Sequence, residues 1–300
     1  MIPHPFEYHR AESLEEASRV LAELGEEAKV LAGGQSLIPL MKLRLARPSA
    51  LVDLGHVPEA AYIERKDGHL RIGAMTRHAA IEESAEVARI PILHDCAAGI
   101  ADAQVRNMGT IGGSVAEADP HGDWAPVLLA LGAEVECLGK SGARTVRMSE
   151  FIRDAFTTVL GPADLVREIR VPMPAARSAG AYIAFKRCAP VYPTASAAVQ
   201  VTMEDEDFCR DARVVLGCVG LTPVVAAEAA AALRGQAITP HAIERAADAA
   251  MAAADPQADV RGSVDYKRLL VRVLVRRALL AALARARGEH VEVSHEYVGR

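Results

Sequence analysis

Two glycine pairs mark the parts of this sequence that could do chemistry. The first stands in the run Val30-Leu31-Ala32-Gly33-Gly34-Gln35-Ser36-Leu37, after a short apolar segment. Glycine takes positive φ without strain and lets a ligand approach the backbone closely. Successive N–H groups in such a turn form a concave anion site, and a helix that begins after the turn adds a favourable dipole. The run therefore predicts a phosphate-binding turn, with Gln35 and Ser36 as neutral hydrogen-bonding partners.

The second pair stands in Thr110-Ile111-Gly112-Gly113-Ser114, which is followed by Asp119-Pro120-His121-Gly122-Asp123. This segment predicts the same backbone device, with a hydroxyl and two carboxylates beside it. Two such anion sites fit a pyrophosphate, and the acidic groups fit ribose or ribityl hydroxyls. Each segment alone could equally be an ordinary tight turn. We expect Asp119 or Asp123 to cap the helix at Trp124, with Asp123 as the better ligand candidate and His121 as a solvated loop residue.

Other nucleotide-binding and catalytic motifs are missing from the sequence. No G-x-G-x-x-G follows a predicted strand, so a Rossmann site is not supported. Gly139-Lys140-Ser141 resembles the end of a P-loop, but Glu134 occupies the position of the required glycine. Gly34-Gln35-Ser36-Leu37-Ile38 lacks the second glycine of a nucleophile elbow, and no H-E-x-x-H occurs. These absences argue against hydrolase, kinase and metalloprotease functions.

Composition and charge exclude further classes of protein. Hydrophobic residues make up 51% of the 300 residues and charged residues 24%, as in an ordinary globular protein. A net charge of −5 disfavours nucleic acid as the main partner, because phosphate binding requires a basic surface. The sequence contains no apolar run of about 18 residues, so it predicts no membrane span. The segment Met1–Glu7 lacks the features of a signal peptide. We therefore expect a cytoplasmic protein.

The cysteines agree with that compartment. They form an odd set with no close pair, which argues against a disulfide framework and against a zinc or iron–sulfur site built by this chain alone. We expect buried, inert thiols and no bound metal. The five cysteines are Cys96, Cys137, Cys188, Cys209 and Cys218.

Local patterns predict mixed strands and helices, in an order that changes in the last third of the chain. Ser13 and Glu16 form a capping box for a first helix, which Gly25 ends. Earlier strands are predicted at 29–32, 51–54, 69–74, 134–138, 144–148 and 165–172, and helices at 38–45, about 77–101 and 124–131. Later strands are predicted at 180–187, 195–203 and 212–219, followed by helices at 223–234, 240–253 and 265–286. Strands followed by helices predict an α+β domain with an antiparallel sheet covered on one face.

Taken together, these motifs resemble the FAD-binding medium subunit of the molybdenum hydroxylases, the family of carbon monoxide dehydrogenase and of the flavin domain of xanthine dehydrogenase. The resemblance extends over about residues 1–285. The segments that carry it are Ile2-Pro3, Phe6-Glu7-Tyr8, 32–39, Met41-Lys42, Arg44, Ile72-Gly73-Ala74, Gln104-Val105-Arg106-Asn107 and Thr110-Ile111-Gly112-Gly113.

The resemblance implies an α+β fold in which two α/β lobes clasp FAD in front of a smaller domain. We expect a FAD-binding domain over 1–174, with subdomains of about 1–55 and 56–174 and a boundary at Pro172-Met173-Pro174. A C-terminal α+β domain with an antiparallel sheet and helices then covers 175–287, and a tail covers 288–300.

The resemblance also implies the site residues. Residues 32–36 and 110–114 are expected to cradle the phosphates and ribityl chain, Asp123 to contact that chain, Lys186 to lie near the isoalloxazine, and Tyr192 to lie against the ring. FAD is expected to be non-covalent, with no catalytic residue and no metal. The expected cofactor residues are Lys29, Val30, Leu31, Ala32, Gly33, Gly34, Gln35, Ser36, Leu37, Thr110, Gly112, Gly113, Ser114, Asp123, Lys186 and Tyr192.

Three positions depart from the family pattern. Relatives often have His at the position of Gln35 and Asn at the position of Ser114. Because the residues in this chain are also polar, we expect FAD binding to be retained. The segment Cys188-Ala189-Pro190-Val191 replaces one that often holds a glycine and an acidic residue, which leaves the ring environment and the electron acceptor open.

The implied function is electron relay. A large molybdenum-cofactor subunit would oxidise the substrate and a small [2Fe-2S] subunit would carry the electrons, in a dimer of heterotrimers. This chain's FAD would then reduce NAD+, a quinone or oxygen. Two alternatives are a self-contained flavin oxidase or reductase and a non-catalytic nucleotide-binding assembly protein. Arg268, Arg272 and Arg276 share one helix face, which is a solvated stripe or an interface with an acidic partner subunit.

Overall fold

The computed structural model describes residues 2–188, 191–293 and 296–297. Ala189 and Pro190, which belong to the segment before Tyr192, lie outside the described residues, as do Met1 and positions 294–295 and 298–300 of the predicted tail. The helices are α1 (Leu14–Leu24), α2 (Leu37–Lys42), α3 (His78–Glu82), α4 (Pro91–Gly99), α5 (Ala103–Met108), α6 (Ile111–Glu117), α7 (Trp124–Leu131), α8 (Met148–Phe151), α9 (Ala227–Ala231), α10 (Pro240–Ala253) and α11 (Val264–Ala286).

The strands form three main sheets and one short hairpin. They are β1 (Glu7–Arg10), β2 (Ala28–Leu31), β3 (Ala50–Asp53), β4 (Ile63–Lys66), β5 (His69–Gly73), β6 (Glu134–Gly139), β7 (Gly142–Arg147), β8 (Ile152–Asp154), β9 (Thr157–Thr158), β10 (Leu165–Pro172), β11 (Ser178–Lys186), β12 (Ala195–Met203), β13 (Phe208–Gly217), β14 (Val224–Val225), β15 (Gln236–Ala237) and β16 (Glu296–Tyr297). The predicted mixture of a two-lobed first part and an antiparallel last part is confirmed.

The first lobe is a three-stranded parallel sheet in the order β1-β3-β2, packed against α1. The Ser13 side chain accepts a hydrogen bond from the Glu16 backbone N–H at 3.0 Å, which begins α1 as predicted. Gly25 ends the helix at φ +82°, where a residue with a side chain would be strained. Between β2 and β3 the chain forms the first glycine turn and α2, so the sheet positions this turn at the end of β2.

The second lobe contains a five-stranded antiparallel sheet in the order β4-β5-β10-β6-β7. The prediction of one long helix over 77–101 is wrong. Helix α3 ends at Glu82, a 3-10 turn covers Val87–Arg89, and α4 begins at Pro91. Proline lacks an N–H and clashes with the preceding turn, so it can begin a helix but not continue one. This break sets α4 apart from α3.

The C-terminal sheet has the order β14-β13-β12-β11-β16, with β15 beside β13. The helices of this domain cover one face of the sheet, as predicted, and the second lobe covers the other face. Ala181 and Val199 of its central strands pack with α10 and α11, whereas Tyr182 and Ala198 pack into the core of the second lobe. The strands are almost continuously buried, which is why they show little polar alternation. The sheet is therefore shared between both parts of the chain.

The arginine stripe of α11 is paired within the chain. Arg272 contacts Glu244 and Asp248 of α10 at 2.7 and 2.5 Å, and Arg276 contacts Glu244 at 2.6 Å. Arg268 Nε donates to the Ala254 carbonyl at 3.2 Å. The stripe thus joins two helices of the C-terminal domain. No helix in the described part of the chain combines the length and the apolar surface that crossing a bilayer requires.

A buried ion pair joins the second lobe to the C-terminal domain. Arg285 of α11 contacts both carboxylate oxygens of Asp95 on α4, at 2.6 and 2.9 Å. Asp95 also accepts from the Tyr182 backbone N–H at 3.1 Å. The Arg285 guanidinium further donates to the carbonyls of Gly180 and Val291. One pair therefore links α4, β11, α11 and the start of the tail.

We expect Asp95→Ala to lower the free energy of unfolding by about 3–5 kcal/mol, because it leaves the buried Arg285 charge uncompensated. Chemical denaturation of the purified chain measures this loss. Glu23→Ala is the matched control, because it breaks the exposed Arg19–Glu23 pair and should cost below about 1 kcal/mol. Equal, small losses in both variants would contradict the structural role of the buried pair.

Candidate functional site

One large cleft brings together the segments that the sequence analysis singled out. Its volume is about 780 Å³, within the range of about 300–1,000 Å³ that ligand pockets take. The first glycine turn and the start of α6 line it, together with the segment 158–166, which runs from β9 into β10, and the end of β11. Both lobes and the C-terminal sheet therefore contribute walls to a single site.

The first glycine turn presents unused hydrogen-bond donors to the cleft. The backbone N–H groups of residues 33–36 have no acceptor in the described part of the chain. Gly34 has φ +73°, as predicted, but Gly33 does not have a positive φ. The Gln35 side chain folds back and donates to the Gly33 carbonyl at 3.1 Å. These four neighbouring donors are free for a ligand, and the residues that carry them line the cleft, so the turn can bind an anion.

Gly33 is required for a different reason from the one predicted. A Cβ at this position would collide with the Met108 carbonyl oxygen and would lie 2.7 Å from the Gly109 Cα. The two glycine-containing segments thus meet backbone to backbone. A side chain at position 33 would force them apart whatever its conformation.

The second glycine segment is helical, and the prediction that it forms another backbone anion site is wrong. Thr110 caps α6, and its hydroxyl accepts from the Gly113 N–H at 3.2 Å. The N–H groups of Ile111 and Gly112 donate to the carbonyls of Thr76 and Ala74, at 3.1 and 2.9 Å. These donors are already used by the fold. The segment offers the cleft a close approach and the Ser114 side chain instead.

A buried polar cluster around Asp123 forms the part of the cleft wall that follows the second glycine segment. The Asp123 carboxylate accepts from the Tyr182 hydroxyl at 2.7 Å and lies 3.8 Å from the Lys186 ammonium. Lys186 also donates to the Gly99 carbonyl. Asp123 occupies the N-cap position of α7, but its side chain makes no capping bond. Its carboxylate instead contacts side chains of the C-terminal domain. Asp123 therefore stands at the predicted N-cap position but does not cap the helix.

Asp119 and Tyr192 form a second polar pair at the cleft. The Tyr192 hydroxyl lies beside the Asp119 carboxylate, and partial burial together with this carboxylate raises the pKa of Tyr192. Burial alone would raise the pKa of Asp119, but hydrogen bonds from His121 and Tyr192 outweigh it and lower that pKa. His121 pairs with Asp119 at 3.5 Å and lies beside the Tyr192 ring, so it is partly buried rather than a solvated loop residue.

The structure brings together every predicted cofactor residue except Leu31. Lys29, Val30 and residues 32–37 line the cleft, as do Thr110, Gly112, Gly113, Ser114, Asp123, Lys186 and Tyr192. Leu31 does not line it. His78 and the segment 158–166 also line the cleft and were not predicted to do so. They belong to no glycine motif, and only the turn signal Gly161-Pro162 marked the segment.

His78 is a buried imidazole on the cleft wall. Its Nδ1 lies 3.1 Å from the indole Nε1 of Trp124, which donates to it. Burial and the nearby Arg106 charge lower the pKa of His78 from 6.5 to about 4. The ring is therefore neutral at physiological pH and carries its proton on Nε2.

Comparison with known proteins agrees with this architecture. Residues 4–174 match the family described as the FAD binding domain in molybdopterin dehydrogenase, and residues 180–282 match the CO dehydrogenase flavoprotein C-terminal domain. The chain belongs to the FAD-binding medium subunits of the molybdenum hydroxylase family. This flavoprotein subunit is 41% identical to the carbon monoxide dehydrogenase medium chain of Afipia carboxidovorans, over 96% of this chain and 100% of the relative.

A further relative and a solved structure support the same family. The flavoprotein subunit is 39% identical to the 6-hydroxypseudooxynicotine dehydrogenase complex subunit alpha of Paenarthrobacter nicotinovorans, over 98% of this chain and 100% of the relative. A solved carbon monoxide dehydrogenase from Hydrogenophaga pseudoflava superposes with a TM-score of 0.92 at 42% identity, over 95% of this chain and 99% of that chain. The predicted family, fold class and FAD cofactor are confirmed, and the chain is an oxidoreductase subunit.

The residues of the cleft fit FAD. The free N–H groups of 33–36 suit the pyrophosphate, and the polar groups around Asp123 suit hydroxyls of the ribityl chain. Tyr192, which is 42% exposed, offers an aromatic face for the isoalloxazine. Because the second glycine segment forms no backbone anion site, the first glycine turn is the main anchor for the phosphates.

We expect Gly33→Ala and Gly112→Ala each to weaken FAD binding by at least roughly 10-fold, about 1.4 kcal/mol. A Cβ at position 112 would lie 2.5 Å from the Ala74 Cβ and 2.7 Å from its carbonyl oxygen, so the backbone must shift in both variants. The flavin-to-protein ratio after purification and FAD titration measure the effect. Gly55→Ala is the control, because Gly55 does not line the cleft and a Cβ there would meet only the Asp53 side chain, no closer than 3.1 Å. Full FAD retention in both test variants would show that the close approach is dispensable.

We expect the free energy of unfolding to fall as the pH is lowered from 6.5 towards 4, partly because of His78. The unfolded chain binds a proton on this residue below pH 6.5, whereas the folded chain resists it down to about pH 4. The loss attributable to His78 at pH 5 is about 2 kcal/mol. Urea denaturation of the FAD-free protein at pH 7.5 and 5 should show a smaller decrease for His78→Asn. The exposed His94→Asn should match the original chain, and identical pH profiles for all three would contradict the assignment.

Proposed function

We propose that this chain takes electrons from an iron–sulfur subunit and passes them to an external acceptor, while a molybdenum subunit oxidises the substrate. The main support is that one cleft offers a free anion site and an aromatic face but, among the described residues, no group of metal ligands. Bound FAD supplies the redox chemistry by accepting electrons and releasing them to the acceptor. The protein residues then need only bind, orient and shield the cofactor.

We further propose that the predicted cofactor residues contact non-covalent FAD, with the exception of Leu31. Residues 33–36 hold the phosphates through backbone N–H groups. Asp123, fixed by the Tyr182 hydroxyl and the Lys186 ammonium, orients the hydroxyls of the ribityl chain. Tyr192 covers the ring, with its hydroxyl beside the Asp119 carboxylate. These groups come from both lobes and from the C-terminal domain, so one bound cofactor would contact all three.

The assembly we propose contains large molybdenum-cofactor and small [2Fe-2S] subunits arranged as a dimer of heterotrimers. The relatives named as a medium chain and as a complex subunit support a heteromer. NAD+, a quinone and oxygen are the candidate acceptors. The free cysteines, of which only Cys188 is exposed, fit the reducing cytoplasm. We place the functional boundary at 174/175, with lobes of about 1–55 and 56–174, a C-terminal domain over 175–287 and a tail over 288–300.

We expect the isolated, FAD-loaded chain to be reoxidised by artificial dyes after dithionite reduction, yet to oxidise no organic substrate of the complete complex. A relay subunit has the flavin site but no substrate pocket of its own. Visible absorbance under anaerobic conditions follows both reactions, with NAD+, a quinone and oxygen tested as acceptors. Flavin bleaching by an organic substrate, without the other subunits, would overturn the relay function in favour of a self-contained oxidase.

Two Tyr192 variants test, in the same experiment, what the aromatic side chain contributes. Tyr192→Phe keeps the ring but removes the hydroxyl beside Asp119, whereas Tyr192→Ala removes both. We expect Tyr192→Ala to change the reoxidation rate more than the amount of bound FAD, because the backbone of 33–36 is the main anchor. Loss of FAD from Tyr192→Ala would show that ring contact holds the cofactor instead.

A further inference from the structure

His78 has a hydrogen-bond donor that the fold does not use. Nδ1 accepts from Trp124, and the Nε2–H finds no acceptor among the described residues. The residue is 4% exposed, and its open side lies on the cleft wall. Nε2 does not belong to the fully buried side-chain atoms that lack a partner, so this edge of the ring is open to the cleft. Such a group on the wall of a ligand cleft therefore points to a ligand oxygen as its missing partner.

The place of this donor in the cleft identifies the kind of oxygen. A Cβ at Gly109 would lie 2.8 Å from His78 Nε2, and a Cβ at Gly33 would lie 2.7 Å from the Gly109 Cα. The Gly109 backbone is thus in contact with the imidazole edge on one side and the first glycine turn on the other. His78 Nε2 and the first glycine turn therefore lie on either side of the Gly109 backbone and line the same cleft, so an anion held by the turn is the ligand group next to this donor.

The indole of Trp124 determines which nitrogen can donate. Trp124 is completely buried at the start of α7, and its N–H can only donate. Because it donates to Nδ1, the neutral imidazole must carry its proton on Nε2. The His78 backbone N–H donates to the Gly109 carbonyl at 3.1 Å, which fixes the base of the side chain. The donor is therefore held in one tautomer and one place before a ligand arrives.

We propose that His78 is a cofactor-binding residue whose Nε2–H donates to a pyrophosphate oxygen of FAD, and that Trp124 is its positioning residue. The assignment rests on the proposed function, in which the turn 33–36 binds the phosphates. It differs from a core role for His78, in which only the bond from Trp124 would matter.

Two amide substitutions separate these roles. In His78→Asn the amide oxygen can replace Nδ1 as the acceptor for Trp124, but the distal donor is lost. In His78→Gln the amide N–H₂ can reach the place of Nε2, whereas the acceptor for Trp124 is lost. We expect His78→Asn to weaken FAD binding roughly 10- to 100-fold, and His78→Gln to retain most of the affinity. A core role predicts the opposite order.

Titration of the flavin-free chain with FAD and with riboflavin measures these affinities, and thermal unfolding confirms that each variant is folded. The loss in His78→Asn should appear with FAD and not with riboflavin, which lacks phosphate. His94→Asn is the exposed control. Equal FAD affinity of His78→Asn and the original chain, or an equal loss with both ligands, would overturn the proposal. Failure of the original chain to bind FAD would instead overturn the proposed function.

Nitrogen NMR of the ¹⁵N-histidine-labelled chain tests the positioning role of Trp124. The original chain should show His78 as the Nε2–H tautomer. Trp124→Phe should give a mixture of tautomers and a smaller loss of FAD affinity than His78→Asn. A pure Nε2–H tautomer in a folded Trp124→Phe variant would show that the indole does not select it.

Discussion

The close approach of the first glycine turn to the start of the second glycine segment is the contact on which the cleft depends. Gly33 abuts the backbone at Met108 and Gly109, and Gly112 abuts the backbone at Ala74. Because no Cβ fits at position 33, the first and second lobes can meet there main chain to main chain, whereas the Gly112 contact packs α6 against the end of β5 within the second lobe. The cleft lies where these two lobes touch, and its anion site is formed by the one segment whose N–H groups the contact leaves free.

The C-terminal domain completes this site through buried charge. Lys186 stands at the end of β11, where its ammonium reaches Gly99 and Asp123 of the second lobe. Nearer the start of β11, the ion pair between Asp95 and Arg285 joins α4 to α11. Buried charges are costly unless paired, so each pair fixes how the shared sheet lies against the second lobe. The same contacts that hold the domains together therefore position the far wall of the cofactor cleft.

Much of the local structure could be predicted from the sequence, because its signals are local. The Ser13 cap, the Gly25 stop and the apolar run of α7 each depend on neighbours within a few residues. The cleft residues were found through motifs that resemble a known family, and all but Leu31 line the cleft. The broken helix over 77–101 was missed because alanine-rich composition outweighed the proline at position 91.

The sequence by itself determined the residue types that can meet a flavin cofactor: two glycine pairs, polar groups beside them and an aromatic residue after β11. Only the tertiary structure decided which backbone donors remain free. The N–H groups of Ile111 and Gly112 are used because the distant carbonyls of Thr76 and Ala74 pack beside them. The His78 proton is directed to Nε2 because Trp124 packs against its other nitrogen. Both results depend on contacts between segments far apart in the chain, and no local spacing encodes such contacts.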